Sequence, residues 1–213
     1  VQQNLVIQKA NLFVSRSNAV YTGLSDYQST INTQISDDID RINELGNTIF
    51  KLNLEIQKVE SGNVETAMTL RDERDNALDE LASYVDISYK ENSDGIVKVS
   101  VEGVEFVDEA RCYAMGKNRD EITGFVTPYW THLSDIENGD YDNVFSFTTP
   151  ISSDLNNDLG ELKALILARG DRKATYKDIV GLTSDEYNRS TADSIATGMS
   201  VMLQAQAQLD QLV

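Results

Sequence analysis

Residues 28–60 read QSTINTQISDDIDRINELGNTIFKLNLEIQKVE. At a seven-residue repeat, Ile31, Ile35, Ile42, Leu45, Ile49, Leu52, Ile56 and Val59 fall on one seam, and Asp38 is the only polar residue at a core position from Ile31 onward. Apolar residues recurring every three or four positions line one face of a helix, so the stretch predicts a long amphipathic helix. No Pro interrupts it, and 33 residues of helix would reach about 50 Å, longer than a compact domain of this size needs. The opposite face carries Asp37, Asp40, Arg41, Glu44, Thr48, Lys51, Glu55 and Lys58, a pattern that suits water rather than lipid. The rest of the chain is expected to pack against this strut or to be inserted beside it.

Upstream, Leu5, Ala10 or Leu12, Phe13, Ala19 and Val20 predict a first helix over 1–21, which Gly23 would end, leaving Ser25 or Asp26 to cap the strut. Downstream, Gly62 and Asn63 offer the left-handed conformation that closes it. A second helix over 64–85 follows at once, with Ala67, Leu70, Arg74, Ala77, Leu78, Leu81, Ala82 and Val85 on one face, and the tight connection folds it antiparallel onto the strut. Arg71 and Asp75 are spaced as an i,i+4 pair on a salt-laced outer face. Arg74 lies among the leucines instead. A guanidinium there needs its stem packed and its fork paired, with a group on the strut such as Asn53 as candidate partner.

The period changes after Val85. Ile87 and Tyr89, then 96–101, then 104–107 alternate as hairpin strands, with Asp94-Gly95 and Gly103 at the reversals. Further short strands are predicted over 112–115, 122–126, 129–133 and 144–149. Residues 86–153 hold five bases against thirteen acids, which suits a small antiparallel insert with one wet face. Helical spacing returns at Leu155, Leu159, Leu162, Leu165 and Ile166, with Ser153 or Asp154 as cap and Gly170 past the end. A last helix from about residue 185 would align Ile195, Met199, Met202, Leu203, Leu209 and Val213. The fold class is therefore α+β and predominantly α: a long antiparallel helical bundle over 1–85 and 154–213, with a small β-rich insert over 86–153.

Composition narrows the function. With 35 acids against 18 bases, a net charge of −17 repels phosphate backbones and anionic lipid alike, which argues against nucleic acid and membrane as partners. The single Cys112 cannot form an intrachain disulfide and reads as a buried thiol. No run approaches the length of a membrane span, and no cleavable signal peptide is recognisable. The chain starts at Val1 and stops inside an apolar periodicity, so it is read as a trimmed piece of a longer protein. His132 is the only histidine, which leaves no partner for a nucleophile and no His-rich metal cluster. The run 135–143, DIENGDYDN, has the oxygen density of a calcium loop, but its glycine is one position out of register and no Glu closes it, so a solvated turn is expected. No catalytic residue, cofactor or metal is assigned.

Several separated motifs carry a resemblance: I-x-x-I-N-E-L over 39–45 (Ile39, Ile42, Asn43, Leu45), I-x-x-L-N over 49–53 (Ile49, Leu52, Asn53) with Ile56, E-S-G ending at Gly62, and LRDERDNALDEL over 70–81 with Leu70, Asp72, Arg74, Asp75, Leu78 and Leu81. DGIVKVSVEGVEFV over 94–107 (Gly95, Gly103), GELKALILAR over 160–169 (Gly160, Leu162, Arg169) and LDQLV from Leu209 and Asp210 follow in order. Together they resemble the first family of flagellar hook-associated proteins, which join hook to filament. Members often have Asn-Asp where Met68 and Thr69 stand, and 108–157 carries no matching motif. The resemblance implies a structural subunit of the bacterial flagellum, exported unfolded by the flagellar type III system to the outside of the cell. Its implied partners are other copies of itself, the hook protein, the second junction protein and an export chaperone binding terminal helices; the fragment alone is expected to be monomeric. Two rival classes remain: an intracellular coiled-coil adaptor with an open seam, and a metal-dependent hydrolase using the 135–142 loop.

Overall fold

A computed structural model describes residues 2–61, 67–147, 151, 153–155, 157–170, 174, 175, 177 and 201–212. One element dominates it, the helix α1, Gln2–Glu60, whose 59 residues span about 88 Å at the standard rise. The break predicted at Gly23 does not occur. One glycine in a helix costs about 1 kcal/mol against alanine, which long flanks of better formers outweigh when no proline or cap competes. Gly23 faces open space, and Ser25 and Asp26 continue the helix instead of capping it.

The seam is buried from Ile31 through Ile35, Ile39, Ile42, Leu45, Ile49 and Leu52 to Ile56. Val59, assigned to it from the heptad, is 38% exposed. A straight helix drifts about 20° per heptad from a 3.5-residue repeat, so four heptads rotate position 59 off the covered face. α2, Met68–Tyr84, lies antiparallel on α1: Arg41 meets Glu80 at one end and Glu60 meets Arg71 at the other. Its side-chain cap is missing, yet Ala67 N–H donates to Glu60 Oε1 at 3.0 Å, so the first turn is not left orphaned. Ala77, Leu78, Leu81 and Val85 are buried, whereas Ala82, placed on that face from the sequence, is exposed. Residues 62–66, where the strut was expected to close and α2 to begin, lie outside the described residues.

Strands β1 (Ile87–Glu91), β2 (Val97–Val101) and β3 (Val104–Val107) form an antiparallel sheet in that order. Glu102 and Gly103 both have positive φ, 50° and 81°, as a two-residue turn between twisted strands requires, and Val101 pairs with Val104 across it. A second pair, β4 (Met115–Arg119) and β5 (Val126–Trp130), is also antiparallel. Here four sequence assignments shift. The run 112–115 only touches the start of β4. Asp120 Oδ1 accepts from Ile122 N, Thr123 N and Thr123 Oγ1, turning 120–123 into a loop where a strand was expected. Residues 131–133 likewise turn away after β5, and 144–147 hold no strand beyond a bond from Val144 N to Pro128 O at 3.0 Å.

α3, Glu161–Arg169, starts later than predicted, because Ser153–Leu155 forms a 3-10 turn and Leu155 and Leu159 are exposed rather than facing the core. Its cap is Gly160, at φ 92°, pressed so close to the end of α2 that a Cβ would lie 2.7 Å from Tyr84 O. α4, Val201–Leu212, buries Leu203, Gln206 and Ala207. Ile195, Met199 and Val213, assigned to this last helix, lie outside the described residues. One hydrophobic core joins the α1 seam to α2, both sheets and α3, with Phe106 and Trp130 at its centre. At Gly46 the helix comes so close to Phe106 and Cys112 that a Cβ would lie 2.5 to 2.7 Å from them.

Ile49 is fully buried at the middle of the seam. Ile49→Asp replaces packed methylenes with a carboxylate and is expected to cost at least ~3 kcal/mol, read as a lowered Tm and denaturant midpoint. An unchanged Tm would mean the seam is a free docking face.

Candidate functional site

An asparagine side chain carries the same donor and acceptor pair as a peptide unit, so on a helix facing a strand it can complete the strand's hydrogen bonding. α1 does this three times. Asn32 Nδ2 donates to Gly124 O at 3.1 Å while its Oδ1 accepts from Val126 N at 2.8 Å. Asn43 repeats the pattern on Met115, with 3.0 Å to O and 2.8 Å from N. Asn53 repeats it on Val97, with 2.8 Å to O and 3.0 Å from N. Steps of 11 and 10 residues are about three helical turns, so all three amides look out on the strand side of α1.

Two of these rungs each hold a buried guanidinium. Arg74, 2% exposed, donates from Nη1 to Asn53 Oδ1 at 3.0 Å and to Gly95 O at 2.6 Å, and from Nη2 to Glu91 Oε2 at 3.4 Å. Desolvation lowers its pKa, with Glu91 pulling the other way. Arg71 stands outside it, bonding Glu60 through Nη2 and Glu91 through Nη1, both at 2.7 Å. These contacts, rather than the i,i+4 pairing with Asp75 read from the sequence, fix Arg71. The Arg71 hydrogen bond, reinforced by Ala67 N–H, holds the Glu60 carboxyl at about 2. At the other rung, Arg169 donates from Nη1 to Asn32 Oδ1 at 2.6 Å and to Val126 O at 2.7 Å, and stacks 4.7 Å over Phe125. Its carbonyl accepts from Gln28 Nε2 at 2.7 Å, and Gln28 Oε1 accepts from Gln206 of α4 at 3.2 Å. A third cation, Lys163, ties α3 to the β2–β3 turn through Glu102 Oε2 at 2.7 Å.

The residues that carry the family motifs divide between two roles. Ile39, Ile42, Leu45, Ile49, Leu52, Ile56, Leu78, Leu81 and Leu162 fill the core, with Leu70 half-buried. Asn43, Asn53, Arg74 and Arg169 form the polar ties, and Gly95, at φ 78°, supplies the carbonyl that Arg74 reaches. Gly103 turns a hairpin, and Gly160 allows the close approach of α3 to α2. Asp72 and Asp75 are exposed, Leu209 and Asp210 are half-buried on α4, and Gly62 lies outside the described residues. Sequence reasoning missed Asn32, Gln28, Gln206, Lys163 and Glu102. The signal for Asn32 was present, three turns before Asn43 on the same face.

His132 stacks 4.4 Å from the Tyr113 ring, and burial pushes the Cys112 thiol up to about 12. In the 135–143 run, Asp135 accepts from Asn138 N as the cap of a 3-10 turn that Gly139 closes at φ 75°. Among the described residues, no three Asp, Glu, His or Cys side chains converge as metal ligands, and no helix is long and apolar enough to cross a membrane. An open cleft of about 570 Å³ lies between the β4–β5 loop, α3 and α4, walled by Phe125, Phe145, Phe147, Arg119 and Leu203.

A protein-family model described as the flagellar hook-associated protein FlgK helical domain matches residues 1–212. Among solved structures, the flagellar hook junction protein FlgK from Burkholderia pseudomallei is similar, with a TM-score of 0.57 and 20% identity. That similarity covers 75% of this chain and 27% of the Burkholderia chain, so the sequence spans about a quarter of that protein's length. No curated protein sequence matches the chain.

Asn53→Ala would leave Val97 N–H, Val97 C=O and one Arg74 donor without their buried partner. The expected cost is about 3 kcal/mol, since each stranded group costs roughly 1–3 kcal/mol less relaxation, read from chemical denaturation. Asn53→Asp keeps the acceptor but sets a carboxylate against Val97 C=O, and it is expected to restore only part of that loss.

Proposed function

The chain belongs to the FlgK helical-domain family of flagellar hook-associated proteins, and from that membership we propose that it is the helical part of an axial subunit that joins hook to filament. The reading is structural, not catalytic. The match over 1–212 carries it, and two features of the fold support it. The first is α1 itself, a strut far longer than its core needs. The second is a set of exposed apolar residues on its N-terminal half, Leu5, Val6, Ile7, Leu12, Phe13 and Val20, of the kind that helix packing in an assembly covers.

In this reading the partners are other copies of the subunit, the hook protein and the second junction protein, with a chaperone before export. Export runs through the flagellar type III system, without a cleaved signal peptide, to the outside of the cell. The division into a helical body over 1–85 and 154–213 and a β-rich insert over 86–153 belongs to the same proposal, with the body in the tube wall and the insert outward. The adaptor reading needs an open seam, whereas Ile31 to Ile49 packs in one core with the chain's own α2, sheets and α3. A charge of −17 sets copies of the fragment against one another at low salt, so lateral contacts belong to the assembled state.

Two measurements check this. Deleting the gene in its own bacterium is expected to leave assembled hooks without filaments and to release filament protein into the medium; cells that still swim on attached filaments would overturn the junction role. Light scattering on the 213-residue chain is expected to give a mass near 23.7 kDa. A salt-insensitive dimer at micromolar concentration would favour the coiled-coil adaptor.

A further inference from the structure

Position 38 is where the seam of α1 carries a charge instead of an isoleucine or leucine. Asp38 is 8% exposed, and its Oδ2 is buried without a hydrogen-bond partner. That end of the carboxylate has lost water and gained no hydrogen bond in its place. The charged groups around it come from three helices. On α1, Asp37 is adjacent, and Arg41, one turn on, is engaged by Glu80 at 2.7 Å and Glu44 at 3.1 Å. From α2 come Glu80 and Tyr84, whose phenol is raised by burial and by Asp38 itself. From α3 comes Glu161, held against α1 by Gln34 Nε2 at 3.0 Å, one turn before Asp38. Lys117 of β4 is tied to Asp40 at 2.7 Å, two residues on and so about 200° round the helix. The balance facing Asp38 is therefore negative, in a junction so tight that Gly160 has no room for a Cβ beside Tyr84 and Val85.

We propose that the junction of α1, α2 and α3 is a proton-operated clamp, in which neutral Asp38 lets α3 seat on α1 and ionised Asp38, facing Glu161, loosens it. The energetics agree in direction. Burial first, then Glu161 and Asp37, raise the Asp38 carboxyl from 3.8 to about 6. Below pH 3.8 the group is protonated whether α3 is docked or not, so it adds no difference. Between 3.8 and about 6 only the docked state keeps the proton, and the docked state loses ground as pH rises until the full penalty is reached above 6. A carboxyl raised from 3.8 to about 6 by docking corresponds to at most about a 160-fold change in the docking equilibrium.

Hydrogen exchange of the amides in 161–169, corrected for the intrinsic pH dependence of exchange, reads the clamp directly. For the unaltered chain, protection is expected to fall by up to about 25-fold between about pH 4.5 and about pH 7.5. Asp38→Asn should flatten that response, and Asp38→Ile, which completes the apolar seam, should flatten it at the high-protection level. Glu161→Gln should reduce it in part. A carbon-13 titration of the Asp38 carboxyl in the unaltered chain stands apart from any folding defect of the variants. A carboxyl that titrates below about pH 4.5, or the same pH response in Asp38→Ile, overturns the proposal.

Discussion

A helical asparagine amide bonded at once to a backbone N–H and a backbone C=O of the facing strand region is the contact on which the helix-to-sheet half of this structure depends. Packing a helix against a sheet through apolar side chains alone is forgiving, because methyl groups slide past one another with little change in area. An amide that must meet one N–H and one C=O at once is not. Asn32, Asn43 and Asn53 each impose that condition on a different strand region, and a slip of one residue would strand a backbone N–H and a backbone C=O at every rung. The seam isoleucines supply the bulk of the burial, and the amides decide which of many similar packings is adopted.

The two buried arginines extend this specification to the other helices. Arg74 brings α2 to the Asn53 rung and the carbonyl of Gly95, and Arg169 brings α3 to the Asn32 rung and the carbonyl of Val126. In each case one guanidinium nitrogen bonds an asparagine oxygen that already serves a strand N–H. Around Arg74 two of the three bonds come from dipoles, the Asn53 amide and the Gly95 carbonyl, and the third and longest comes from Glu91. Replacing such a cation by a hydrocarbon of similar volume need not destabilise a protein, whereas removing the dipoles around it does.

Much of the fold was legible because its signals are periodic or conformational. The seam of α1, the apolar face of α2 and the positive-φ reversals at Gly95 and Gly103 each follow from a rule that a few residues satisfy or violate. The errors came where two rules compete. Gly23 reads as a stop, but a 59-residue run without proline outweighs one glycine. Residues 122–126 read as a strand, but the Asp120 side chain captures the backbone donors that a strand would need. Leu155 and Leu159 read as a helix face, yet polar residues and Gly160 postpone α3 until Glu161. Of the polar ties, Arg74 announces itself by standing among leucines. Asn32 does not, since asparagine on the outer half of a helix looks like ordinary surface until its spacing from Asn43 and Asn53 is noticed. Asp38 was visible as an interruption of the heptad, but its isolation depends on where Arg41 and Lys117 spend their charge, which only the assembled helices reveal.

The unbroken course of α1 makes it a ruler as well as a strut. Each residue of an α-helix turns the next by about 100°, so one residue inserted between Asn32 and Asn43 would swing the later rungs a quarter turn or more away from their strands. A loop absorbs such a change by bulging, but a helix hydrogen-bonded at both ends of the interval has nowhere to put it. The interval 32–53 therefore tolerates exchange of side chains on its wet face and resists any change in length. Twist entering at one end of this rod would arrive at the sheets as a change of bearing, because the rungs leave the strands no independent heading of their own.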